Sequence, residues 1–166
     1  MKVKNLRFIA LLILLSGAVG LSAQSKKEKK EQMKLVVKEL LASEKYKIHA
    51  NTAFPMRGRS IPLSSPYALE VRNDSVISYL PYYGRAYSIP YGGGEGLVFK
   101  APLKDYKTEK DKKGNTRIQF SARTLEDKYD FSVSVFDNGA ASIDVMMQNR
   151  QSISFSGELD TETAKK

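Results

Sequence analysis

The chain has no cysteine, no tryptophan and one histidine, His49, among its 166 residues. Without cysteine there are no disulfides, so the fold must be held by packing alone. Thiol catalysis, cysteine-based metal sites and an N-terminal lipid on cysteine are excluded too. One histidine leaves almost nothing for zinc ligation or for Ser/His relays. His49 falls on the polar side of an alternating segment, where a solvated side chain is the expected reading. The lack of tryptophan weakens a sugar-stacking role. Beyond the first two dozen residues there is also no long apolar run.

The run at the start has the form of a secretory signal. Lys2, Lys4 and Arg7 precede the apolar stretch Phe8 to Leu15, and the small-residue segment SGAVGLSA follows. Phe8 to Ala23 is shorter than the roughly 20 residues a spanning helix needs. Ser16, Gly17, Gly20 and Ser22 interrupt it. The expected organisation is a signal peptide over 1–23 cleaved near Ala23/Gln24, one domain over 24–159, and a polar, disordered tail over 160–166. Membrane contact is then transient, through the signal peptide only, and the destination is the periplasm or the exterior.

Charge is unevenly spread. The whole chain carries a formal +9, with 27 basic and 18 acidic residues. Residues 24–50 hold eight Lys against four acids, while residues from 51 onward hold sixteen basic against fourteen acidic. The basicity belongs to one N-terminal element, which is not the folded basic surface that tracks a phosphate backbone, so no nucleic-acid partner is expected.

That element is a helix. Met33, Val36, Val37, Leu40 and Leu41 recur at helical spacing, with Lys and Glu on the other side, which predicts an amphipathic helix over 26–43. It either lies on a membrane surface or lays its stripe on a sheet. The interspersed Glu28, Glu31 and Glu39 and the lack of an aromatic on the stripe favour the sheet. After it the period changes to two. Tyr46, Ile48 and Ala50 alternate with polar residues, as do Tyr67, Leu69 and Val71, then Leu97 and Phe99. A hairpin is expected around Lys112–Asn115, and Tyr129 to Val135 reads as a strand. Asn138-Gly139 then turns into Ala141 to Met147, Asn149-Arg150 turns again, and Ile153 and Phe155 lie on a last strand. The fold class is α+β, mainly β. An N-terminal amphipathic helix packs on a curled, mostly antiparallel meander sheet that makes a partial barrel.

Chemistry is sparse. Glu70, Glu95, Asp105 and Asp144 are available carboxylates, yet no spacing singles out the pair that glycoside hydrolysis needs. The segment GGGEG (92–96) opens no helix and is followed by a strand, so it is neither a phosphate loop nor a dinucleotide fingerprint. No cofactor or metal is expected. Arg57 and Arg59 flank a glycine and either hold a carboxylate or phosphate or pair with acids of the sheet. Residues 79–96 carry five of the nine tyrosines, and four of the five residues 92–96 are glycine. Read as a strand, Tyr83, Arg85, Tyr87 and Tyr91 share one face and Gly84, Ala86 and Ser88 the other. The large face pointing outward would make a binding surface; pointing inward, it would be core.

PMRGRSIPL (55–63), YLPYYGRAYSIPYGGGEGLVF (79–99), VFDNGAASI (135–143) and NRQSISFSGEL (149–159) resemble the Bacteroidota family of small exported proteins known as domain of unknown function 4251. The resemblance implies an envelope location and carries over no reaction, ligand or catalytic residue. Its lineage implies that Asp74-Ser75-Val76 matches the short sequon these bacteria O-glycosylate, with Ser75 as the acceptor. The functional expectation is a non-catalytic module that binds an envelope protein or a glycan through Tyr83, Arg85, Tyr87, Tyr91, Arg57 and Arg59. The alternative is a carboxylate-based hydrolase of glycans or peptidoglycan.

Overall fold

The computed structural model describes residues 25–88, 96–112 and 114–162. The signal-peptide segment, Tyr91 and Glu95 lie outside them, as do the last four residues of the tail. A helix, α1, covers residues 25–42. Nine strands follow: β1 (Lys45–Pro55), β2 (Ile61–Pro62), β3 (Ala68–Arg72), β4 (Ser75–Leu80), β5 (Leu97–Lys110), β6 (Thr116–Arg123), β7 (Lys128–Val135), β8 (Ala140–Met147) and β9 (Ile153–Leu159).

The strands run as an antiparallel meander, and β9 returns to pair with β1. The expected curl is therefore carried to closure. Eight strands form a barrel, and the two-residue β2 is an appendage on the far part of β1. Closure removes most of the sheet edge that a meander of this length would otherwise expose. An eight-stranded barrel has an interior just wide enough for side chains to fill. Ile48, Leu69, Val71, Val76, Leu97, Ile118, Phe131, Val133, Ile143 and Phe155 fill it, each essentially inaccessible to solvent.

Two bulges fit the strands to the curvature. In β1 the register slips between Ala50 and Thr52, so Asn51 is the extra residue, and the inward face passes from Tyr46, Ile48 and Ala50 to Ala53. Opposite this bulge sits Gly157. A Cβ there would lie 1.9 Å from the carbonyl oxygen of His49, so the closing seam needs glycine. In β5 the slip lies between Lys104 and Lys107; Asp105 has φ 56° and accepts a hydrogen bond from the Ser121 hydroxyl.

The helix closes one end of the barrel, where the β3–β4 and β7–β8 turns lie. Val37, Leu40 and Leu41 are buried in the core, with Met33 and Val36 packed beside them, as the stripe predicts. Lys34 pairs with Asp137 of the β7–β8 turn at 3.0 Å. The chain leaves the helix through Glu44, whose carbonyl accepts the Asn73 N–H of the β3–β4 turn. Residues just after β9 stay attached to this end, because the Asp160 N–H donates to the Lys47 carbonyl at 2.8 Å. The hairpin turns expected around Gly114 and at Asn138-Gly139 occur, and a further turn at Asn73-Asp74 joins β3 to β4.

Candidate functional site

The opposite end carries the long connections: the β1–β2 bend, residues 81–96, residues 124–127 and residues 148–152. It is closed by polar groups. Asp127 is buried, and its carboxylate accepts the backbone N–H groups of Lys128, Gln148 and Asn149 at 2.8–3.1 Å. The Asn149 side-chain amide donates to the Glu126 carbonyl, and the Thr124 hydroxyl accepts from the N–H groups of Glu126 and Asp127. Each bond offsets the desolvation that a buried polar group would otherwise cost.

Arg150 lies at the centre of this end. The sequence placed it in a turn; the structure turns its side chain inward and leaves the residue 5% exposed. Its Nη2 meets Glu126 Oε2 at 2.8 Å, and its guanidinium carbon lies 5.8 Å from the centroid of the Tyr82 ring. Nη1 is buried with no hydrogen-bond partner among the described residues. The Tyr82 hydroxyl lies 3.0 Å from the carbonyls of both Arg85 and Gln151 and shares its proton between them. Burial raises the Tyr82 and Tyr129 hydroxyls above the usual phenol value. Tyr129 donates to the Gly96 carbonyl and stacks on Phe99 at 4.3 Å.

The tyrosine-rich segment is not a strand. Residues 81–88 run irregularly, with a single bridge between Ala86 and Arg150. The N–H of Tyr87 donates to the Asn149 carbonyl, and that of Gln151 to the Arg85 carbonyl. Strict alternation of faces therefore does not apply. Ala86 is partly covered, while Gly84 and Ser88 are exposed. Gly84 is demanded by Tyr82, because a Cβ would stand 2.6 Å from the phenol oxygen. Tyr83 packs partly against the core, whereas Arg85 is exposed and Tyr87 is 69% exposed.

Arg57 and Arg59 are exposed on the β1–β2 bend and make no ion pair among the described residues. No hydrogen bond among the described residues joins this bend to residues 82–88, yet both flank the entry to β9. Pro55 pairs with Ile153, two residues from the Gln151 that bonds to Arg85. Phe54 and Met56 beside them are 45% and 58% exposed. Ser75 is half-buried at the start of β4, its hydroxyl 3.3 Å from the Arg72 carbonyl.

The carboxylates considered for hydrolysis lie apart. Glu70 pairs with Arg72, Asp105 takes the Ser121 hydroxyl, and Asp144 accepts from the Ser154 hydroxyl at 2.6 Å. His49 approaches Asp160 at 3.6 Å on the barrel exterior. Among the described residues no three acids or histidines gather as a metal site, and no helix is long and apolar enough to cross a membrane.

Comparison with solved structures finds a similar fold in a crystal structure of a DUF4251 family protein from Bacteroides eggerthii. The match has a TM-score of 0.59 and 18% identity, and covers 76% of this chain and 86% of that one. No curated protein matches. The family model "Domain of unknown function (DUF4251)" matches residues 27–159, the helix and the whole barrel, and the chain belongs to that family.

Proposed function

We propose that the protein is an exported, non-catalytic binding module whose partner docks on the rim formed by the β1–β2 bend and residues 85–87. The observation that carries this reading is a set of unpaired arginines beside exposed apolar groups at one barrel end. Arg57, Arg59 and Arg85 have no acidic partner among the described residues, and Phe54, Met56 and Tyr87 stand out beside them. Arginine and tyrosine supply large contact area with polar tips, the composition that interface centres enrich. The barrel interior is packed with side chains, which directs binding to the outside. Three basic groups select an acidic face on a protein or an acidic glycan. Export rests on the basic, apolar and small-residue order of residues 1–23.

The test is capture from envelope extract by the purified protein, with glycan and peptidoglycan fragments assayed in parallel. Wild type should retain a partner that Arg85→Ala and Arg57→Ala release as salt is raised. Equal capture by wild type and both variants would refute the rim.

A further inference from the structure

The barrel wall has a gap between β5 and β6. β5 pairs with β4 along its first six residues, from Leu97↔Leu80 to Pro102↔Ser75. Its pairing with β6 begins only at Leu103↔Ala122, and β6 ends at Arg123. Among the described residues, Leu97–Pro102 is thus a strand edge with no partner on its β6 side.

The direction of its backbone groups follows from two bonds. The Leu103 N–H donates to the Asp74 carbonyl, and the Leu97 carbonyl accepts the Ser78 hydroxyl. Odd-numbered residues of this segment therefore address β4, and even-numbered residues address the gap. Val98 and Lys100 present N–H and C=O there, with no hydrogen bond to a described residue. Pro102 has no N–H to present, and a proline inside a strand is tolerated on such an edge.

The gap opens into a cleft of about 400 Å³ whose far wall is residues 123–126 and Tyr129. Phe99 stacked on Tyr129 forms its apolar floor, and Leu125 stands fully exposed at its mouth. Lys100 and Arg123 line it, both exposed and without an ion pair among the described residues; the acid on its wall, Glu126, is joined to Arg150. We propose that this gap is a strand-addition site for an extended, acidic peptide segment of a partner protein. The peptide backbone pairs with Val98 and Lys100. Alternate side chains reach the Phe99–Tyr129 floor and Leu125, and the outward acids meet Lys100 and Arg123.

Amide hydrogen exchange tests the edge directly. In the free protein Val98 and Lys100 should exchange at least about tenfold faster than Phe99 and Ala101, whose N–H groups address β4. Equal protection of the four would show the edge already filled by the protein's own chain and would overturn the proposal. Selection from a random heptapeptide display library should then enrich sequences with acids at alternate positions. Their synthetic forms should slow exchange at Val98 and Lys100. Lys100→Pro, which removes one edge donor, and Arg123→Glu should each weaken binding about tenfold. No enrichment, or enriched peptides that bind both variants as tightly as wild type, would also overturn it. If Lys100→Pro does not fold, Arg123→Glu and the exchange pattern decide alone.

Discussion

The two ends of this barrel are closed by opposite means. At one end α1 lays Val37, Leu40 and Leu41 over the core, and the closure is apolar area. At the other, Arg150, Glu126, Asp127 and Tyr82 are drawn in from three connections, and the closure is a hydrogen-bonded polar network. Apolar closure tolerates repacking, since it is proportional to area and has no direction. Polar closure depends on the bonds its members do make, because each further group left unpaired costs its full desolvation. The polar end therefore fixes the positions of residues 82–88 and 124–127, which border the two candidate binding surfaces.

The contrast breaks most readily at the helix. Leu40→Asp puts a charge with no partner against the core and should cost several kcal/mol, read as a large drop in the urea midpoint. A variant that unfolds like wild type and only loses membrane association would make the helix an anchor instead. At the polar end, Arg150→Met should cost about 2–4 kcal/mol, less than a fully buried pair because the Glu126 side chain keeps 28% exposure. Adding Glu126→Gln should recover part of that loss, as coupled neighbours do. If Arg150→Met alone behaves like a surface substitution, the network does not close this end.

The apolar end was readable from sequence and the polar end was not. Helical spacing at Met33 to Leu41 and alternation in Tyr129–Val135 announce burial, because apolar side chains have one favourable place to go. Arg150 sits in Asn149-Arg150-Gln151, which reads as a turn. Its inward rotation depends on Glu126 and Tyr82, 24 and 68 residues away, and no local pattern encodes that meeting. Strand spacing set Tyr83 with Arg85 and Tyr87 and gave Tyr82 no role, whereas the hydroxyl contacts of Tyr82 with Arg85 and Gln151 tie Tyr82 into the scaffold. Barrel closure was half legible. The alternation and turns give the meander, but the β1–β9 seam rests on Gly157 facing a bulge at Ala50–Thr52, far earlier in the chain.

Alkali should also distinguish the ends. Burial, with the neighbouring Tyr106 hydroxyl, holds the Tyr46 hydroxyl well above the usual phenol value at the helix end; burial raises Tyr82 at the other. The folded protein then keeps these protons more tightly than the unfolded chain does. Their contribution is complete below about pH 10, the ordinary phenol value, and is lost as pH rises above it, because the unfolded chain ionises first. The urea midpoint should fall above that pH. Tyr46→Phe should flatten the fall more than Tyr82→Phe does, and equal flattening by the two would contradict the deeper burial of Tyr46.

The smallest effects divide the tyrosine-rich segment itself. Tyr82→Phe keeps the ring beside Arg150 and removes the hydroxyl shared by the Arg85 and Gln151 carbonyls, so it should cost about 1 kcal/mol, the usual net worth of one such hydrogen bond. Tyr87→Ala removes a ring that is 69% exposed and should change stability by no more than about 0.5 kcal/mol. Its backbone N–H bond to Asn149 survives the substitution. The pair thus assigns structure to one tyrosine and leaves its neighbour five residues on for recognition. Tyr87→Ala should lose the captured partner at unchanged thermal stability. A loss of about 3–5 kcal/mol, the range for truncating a core aromatic, would place Tyr87 with Tyr82 in the scaffold and remove the rim's only exposed tyrosine among the described residues.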